Sequence, residues 1–329
     1  MITIIRAFVY YIMFIMYTYM YNLLAEYSYF AEAIFRHKFN VDEQFTEKNG
    51  YYNNFKYYYA HAYFTILKIV GTKIYLNNKI LHERILWISN HRSKLDGIIV
   101  QSILCANGND VVSVTKKSIS YIPIFNSFGE HMKCIFIKRS KTEAEKIIMK
   151  ESKNSLEKNR SILIFPEGTT LSPNTKLRSD KYATEKNLQP FKNVLIPKNT
   201  GYDIIRREGK FDRIGNITIR YAEPSIPEYS EHSFANLFRI FPRAVYIDID
   251  YGDNISFNDL YKIFSEKEKK LEQPINKNDY HLIHNYSSIC LILNLIIFII
   301  FYCIFLYVPF FRYATLIYTL VMYIRTLLR

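Results

Sequence analysis

The sequence predicts an α/β protein, a sheet flanked by helices, with hydrophobic helices at both termini. Short apolar runs of strand length alternate with longer segments whose apolar residues recur at helical spacing. Distinctive polar residues sit just after several of those runs, where an α/β sheet opens toward a ligand. The first and last parts of the chain are nearly free of charge over lengths that suit a bilayer. The 329 residues fit one large domain with membrane segments, or two domains. We divide them into an anchor and connector at 1–50, a central domain at 51–280 and hydrophobic segments at 281–329.

Ala7–Leu24 is almost wholly apolar and aromatic. It is long for the core of a signal peptide and only Arg6 precedes it, which favours a retained anchor. Tyr52–Val70 mixes aromatics with Lys56, His61 and Lys68. It reads equally as an interfacial helix or as a core helix with an aromatic stripe. Thr72–Leu76 and Leu86–Ile88 read as strands, and Ile98–Leu104 as a helix. Val111–Val114 is the next strand, followed by Lys116 and Lys117. Pro123–Gly129 reads as irregular, then Ile135–Ile137 as a strand ending at Lys138-Arg139. Ser140 and Glu143 have capping-box spacing and open a charged helix to about Asn159. Ile162–Phe165 is a strand that stops at Pro166, which has no N–H to donate. Arg178–Asn187 reads as a polar helix and Val194–Ile196 as a strand ending at Pro197. Asn216–Tyr221 and Val245–Asp250 alternate as strands, and Asp259–Leu271 is a charged helix. Ser287–Phe311 carries no charge and is the strongest transmembrane segment. Tyr313–Ile324 is a short second span or an interfacial helix. Lys262, Lys267, Lys269, Lys270 and Lys277 precede this tail, so the positive-inside rule turns the central domain to the cytosol.

A net charge of +13 points to an anionic partner: nucleic acid, an acidic membrane surface or a phosphorylated substrate. No zinc-finger spacing or basic heptad region supports nucleic acid. Cys105, Cys134, Cys290 and Cys303 form no close pairs, as in a reduced, cytosol-facing protein without a structural metal.

The most chemical stretch is Asn90–Asp96, Asn-His-Arg-Ser-Lys-Leu-Asp, between a strand and a helix. Residues five apart do not stack on a helix, so Asp96 reaches His91 only across a turn. Asp96 would then hold one ring nitrogen and leave the other to take a proton. A loop histidine beside a capping aspartate is the competing reading. Arg139 offers a planar fork for a phosphate. Gly168 permits positive φ and close approach of a ligand. Glu167 would accept from a sugar-like hydroxyl or hold Arg139. Lys116, Lys117, Lys176 and Arg178 could supplement Arg139, and Pro197 supplies a rigid turn.

Taken in order, Asn-His-Arg-Ser-Lys-Leu-Asp, Ile-Phe-Ile-Lys-Arg, Phe-Pro-Glu-Gly-Thr and Val-Leu-Ile-Pro-Lys resemble the four blocks of the glycerolipid acyltransferases, the 1-acylglycerol-3-phosphate acyltransferases and their relatives. Leu171–Leu188 and Pro197–Gly201 are most similar to the lysocardiolipin acyltransferase type. The resemblance covers about Phe64–Asp250. It implies a central mixed β-sheet flanked by helices, with 51–280 as the acyltransferase domain. It implies transfer of a fatty acyl group from acyl-CoA, as co-substrate, to a lysophospholipid at a membrane bilayer, without a cofactor or metal. In that family's terms His91 is the general base and Asp96 its partner. Arg139 binds the acceptor phosphate, Glu167, Gly168 and Thr169 bind the acceptor, and Pro197 belongs to the block associated with the acyl donor or with site shape. Lys116 is added from its position. The chain departs from the family pattern at Gly97, where an aromatic is common, and at Asn126 and Lys133-Cys134, where a glycine is common.

A glycerol hydroxyl attacks a thioester slowly at neutral pH unless a base removes its proton, and a positioned histidine contributes about 10²–10⁴-fold. A helix starting at His91 would keep that base neutral. Ser89 and Ser93 lack nucleophile-elbow glycines, so no acyl-enzyme is expected. The expected location is the endoplasmic reticulum membrane. A catalytically silent lipid-binding scaffold and a transacylase using a phospholipid donor are the competing functions. Acceptor headgroup, acyl chain and oligomeric state are not set by the sequence.

Overall fold

Ile85–Ser89 is buried at every residue, and the sheet extends outward from it on both sides. The structure is a computed structural model that describes residues 2–39, 51–138, 140–222, 242–253 and 259–283, with scattered positions between 296 and 324. Among them β1 (Lys73–Leu76), β2 (Ile85–Ser89), β3 (Val111–Lys116), β4 (Ile135–Ile137), β5 (Ser161–Ile164), β6 (Arg213–Ala222), β7 (Ala244–Gly252) and β8 (His281–Leu282) form one sheet. Its order is β4-β3-β5-β2-β6-β7-β1-β8. The run from β4 to β6 pairs in parallel, so these strands end at one edge. β6–β7 and β1–β8 are antiparallel and β1–β7 is parallel, so the sheet is mixed as the resemblance implies.

Alternation sorts the strand residues into two cores. Ile85 and Trp87 of β2 face one, Leu86 and Ile88 the other. The first core is covered by α1 (Ile2–Phe39), α2 (Tyr51–Ile69), α3 (Asp96–Ala106) and α4 (Pro123–His131). The second is covered by α5 (Lys141–Glu157), α6 (Pro173–Glu185), α7 (Asn199–Gly209) and α8 (Leu260–Glu272). Trp87 lies flat on β6 at Gly215, where a Cβ would come within 2.3 Å of the indole.

α1 is held by one face. Tyr10, Phe14, Tyr17 and Met20 are buried, with Tyr10 and Tyr63 hydroxyls 3.0 Å apart and Thr18 3.1 Å from the Tyr59 hydroxyl. Ile4, Ile5, Phe8, Ile12 and Ile15 on its other side are exposed. Ile4–Asn22 is the one helix among the described residues long and apolar enough to cross a membrane. α2 is a core helix: Tyr59, Tyr63, Phe64 and Leu67 are buried, and Lys56 is paired with Asp110 beneath them.

Four local expectations are corrected. Pro123–Gly129 is helical, because proline at the first position costs a helix no hydrogen bond. The helix expected at Arg178–Asn187 begins at Pro173, where Ser172 and Thr175 form the capping box; Ser140 makes no side-chain cap. Val194–Ile196 joins no strand, because side chains take its N–H groups. Cys105 and Cys134 are free thiols. Arg139, Cys290 and most of Ser287–Phe311 and Tyr313–Ile324 lie outside the described residues.

Candidate active site

β2 stops before β6 does, and Asn90 fills the gap. Its amide donates to the Ile219 carbonyl at 3.1 Å and accepts from the Ile219 N–H at 2.8 Å. This adds one rung to a ladder whose last backbone pair is Ser89 with Ile217. The chain then turns through 91–95, and α3 opens at Asp96 rather than at His91. The helix therefore does not begin at the imidazole, which removes the expected dipole effect at that position.

The turn brings the two residues together. His91 Nδ1 lies 3.0 Å from Asp96 Oδ2, which also accepts the Ser93 N–H at 2.7 Å. Asp96 Oδ1 accepts the Tyr221 hydroxyl. The Asp96 side chain is 0% exposed and that of His91 21%. A carboxylate with three donors is an acceptor, so it fixes the hydrogen on Nδ1 and leaves the lone pair on Nε2. The ring packs on Phe165 with centroids 4.5 Å apart.

The second wall follows β5. Gly168 has φ +69° in the turn after Phe165-Pro166, a conformation that glycine adopts freely. Thr169 Oγ1 lies 3.3 Å from Lys116 Nζ at the end of β3, and a Cβ on Gly168 would sit 3.4 Å from Lys198 Nζ. Glu167 corrects the sequence reading. It is buried, and it turns inward rather than toward a ligand: Oε1 accepts the His91 N–H at 2.7 Å and Oε2 the Leu195 N–H at 3.0 Å. Burial pushes its carboxyl up to about 8, against the pull of the two N–H donors.

Pro197 is buried between bonded neighbours. Ile196 N–H donates to the Ser179 hydroxyl at 2.9 Å and Lys198 N–H to the Pro166 carbonyl at 3.0 Å. Just upstream, Glu268 of α8 accepts the N–H groups of Lys192, Asn193 and Val194 at 2.8–3.2 Å. These side-chain acceptors replace a strand partner. The structure thus joins His91, Asp96, Glu167, Gly168, Thr169, Pro197 and Lys116 around one sheet edge. Arg139 follows β4 in the sequence and lies outside the described residues. Lys176 pairs with Asp180, Arg178 bonds the Asn174 carbonyl, and Lys117 faces the Phe136 ring. Lys133, where a glycine is common in the family, has φ +56°. Sequence reasoning missed Asn90, Tyr221 and Glu268. Asn90 lies inside the motif and could have been questioned; the other two carry no local signal.

Fold and site together define a class: an α/β protein with a carboxylate-steered histidine at the parallel edge of its sheet. Residues 71–197 match the family model described as Acyltransferase. It is 28% identical to the 2-acyl-1-lysophosphatidylinositol acyltransferase of Saccharomyces cerevisiae, over 56% of this chain and 60% of that one. It is 30% identical to lysocardiolipin acyltransferase 1 of Mus musculus, over 57% and 54%. The chain spans between 48% and 60% of the length of the first curated relatives it matches. The crystal structure of the 1-acyl-sn-glycerophosphate acyltransferase PlsC from Thermotoga maritima shares the fold, with TM-score 0.52 and 16% identity over 82% of this chain and 92% of that one.

Proposed function

We propose that the chain transfers a fatty acyl group from acyl-CoA to the free hydroxyl of a lysophospholipid, with His91 as general base and Asp96 as its partner. The single observation that carries this reading is the buried Asp96 carboxylate bonded to His91 Nδ1 at 3.0 Å. His91 Nε2 removes the hydroxyl proton as the oxygen attacks the thioester carbonyl. The carbon–sulfur bond then breaks, and the thiolate of CoA takes that proton from the His91 imidazolium, which restores the neutral base. Asp96 stabilises the imidazolium that forms between these steps. Gly168, Thr169 and Lys116 line the approach, where a lysine suits a phosphate as a point charge. Arg139 is placed in the sequence to add a second cation. The exposed apolar face of α1 suits a substrate held in a bilayer. The relatives are named for lysophosphatidylinositol and lysocardiolipin, so these two and lysophosphatidic acid are the acceptors to try first.

The test is acyl transfer by the purified full chain from acyl-CoA to that panel, with His91→Ala beside it. We expect transfer to at least one acceptor and a loss of about 10³-fold or more in His91→Ala with the fold unchanged. Wild-type turnover in His91→Ala would exclude the mechanism. Transfer from a phospholipid without acyl-CoA would make the chain a transacylase, and no transfer from any donor would make it a lipid-binding scaffold.

A further inference from the structure

We propose that Tyr221 is a positioning residue of this site: its hydroxyl, donated to Asp96 Oδ1, fixes the carboxylate that steers His91. The proposal rests on the reading of His91 as base. Tyr221 lies in β6, outside the residues that match the family model.

Its placement follows from the sheet. β6 continues past the last β2 pair at Ser89–Ile217, and Asn90 locks to Ile219. Side chains alternate along β6, so Ile217 and Ile219 fall on the face that α1 to α4 cover, and Tyr221 falls there with them. That is the face from which α3 presents Asp96. The strand thereby delivers a phenol across the turn 91–95 onto the carboxylate oxygen that His91 and Ser93 leave open.

The need for such a donor is physical. Asp96 is 0% exposed, so no solvent reaches its oxygens. Oδ2 has two donors, His91 Nδ1 and the Ser93 N–H. Oδ1 has the Tyr221 hydroxyl. A buried carboxylate oxygen without a donor is costly, and the plane of the carboxylate would be free to rotate away from the imidazole. The phenol also withdraws charge from the carboxylate. Without it the carboxylate carries more charge, so wherever it still faces the ring the imidazolium is favoured and a larger share of the base is protonated at a given pH.

Several titratable or hydrogen-bonding groups face this dyad. Glu167, on the loop after β5, accepts the His91 N–H. The Ser93 hydroxyl faces Tyr221 from the turn, and Tyr10 of α1 and Tyr63 of α2 act on it electrostatically. Burial and the Asp96 charge hold the Tyr221 hydroxyl well above its ordinary pKa, so it stays a donor across the working range. None of these others donates to Oδ1 among the described contacts.

The experiment measures kcat, both KM values and the pH–rate profile of the full chain, using acyl-CoA and the acceptor found active above. In Tyr221→Phe we expect kcat to fall about 10-fold, both KM values to stay within about twofold, and the acid limb to move to higher pH. Replacing Tyr221 by 2,3-difluorotyrosine keeps the shape and strengthens the donor, and should move the acid limb to lower pH. That variant keeps the proposal testable if Tyr221→Phe does not fold. A merely structural phenol moves neither limb. If His91→Ala is inactive while Tyr221→Phe or the fluorinated protein keeps the wild-type profile, the positioning role is wrong and the base reading stands. If His91→Ala is active, the base reading itself fails.

Discussion

The molecule divides into a region that carries the chemistry and one that braces it, and the two differ in how far apart in sequence their partners lie. Residues 71–197 hold His91, Asp96 and the glycine turn. The contacts that close the turn there are short-range, His91 to Asp96 over five residues and Ser93 to Asp96 over three, although Glu167 holds the His91 N–H from 76 residues away. The layer built from β6 and α8 contributes no reacting group, yet it reaches in over long separations. Tyr221 to Asp96 spans 125 residues, Asn90 to Ile219 129, and Glu268 to Asn193 75. Short-range contacts can set a turn but cannot hold it against a sheet edge. The polar braces do that, because each removes a buried donor or acceptor that would otherwise go unpaired.

Glu268→Ala breaks the comparison most sharply. Where His91→Ala is expected to remove activity and leave the fold, Glu268→Ala should weaken the fold. It strips acceptors from three backbone N–H groups and the Asn193 side chain at once. Each buried donor left unpaired costs about 1–3 kcal/mol, so a total loss of about 2–4 kcal/mol is expected after partial rescue by water. Chemical denaturation of the two variants checks this. Equal stabilities would mean that the α8 layer is not a brace.

Glu167 stands between the two regions, and its proton sharpens the contrast. Its folded-state pKa, about 8, is raised above the ordinary 4.5. Between those values the folded chain binds the proton more tightly than the unfolded chain, so its contribution to stability falls as pH rises through the window. Lys267, lowered by burial to about 7 from 10.5, acts oppositely but only above pH 7. Melting temperatures of wild type should therefore decline from about pH 5 to 7 relative to Glu167→Gln, which lacks the titrating group. Parallel curves for the two proteins would remove Glu167 as the titrating clamp.

The same division explains what could be read from the chain. The α/β class and the strands leading to His91 and Glu167 were legible, because apolar periodicity is local. The need for a turn between His91 and Asp96 was also legible, from spacing alone. Val194–Ile196 looked like a strand because it is apolar and extended. Its hydrogen-bond partners, Glu167, Glu268 and Ser179, are side chains elsewhere, and no pattern within the segment reveals that. Glu167 reads as an acceptor for a sugar-like hydroxyl or for Arg139 because it stands beside a glycine turn. Its oxygens point inward because the Leu195 N–H has no strand to bond. Tyr221 read as an ordinary strand residue, since its role depends on where β2 ends relative to β6.

The smallest effect belongs to the mouth, where the chemical region meets solvent. Lys116 is exposed, and its ammonium stands 3.3 Å from Thr169 Oγ1. If it helps to hold the acceptor phosphate, Lys116→Met should raise the acceptor KM about 3–10-fold while kcat changes less than about twofold. That pattern marks an interaction equally present in ground and transition states. The loss should shrink as salt is added, because a contact between an exposed cation and a phosphate is screened within a Debye length of about 8 Å at physiological ionic strength. A Tyr221→Phe defect should show no such salt dependence, since its partners are out of reach of mobile ions. Steady-state kinetics at low and high salt on the two variants separates a residue that gathers substrate from one that orients the base. An unchanged acceptor KM in Lys116→Met would assign the phosphate to other cations on the edge.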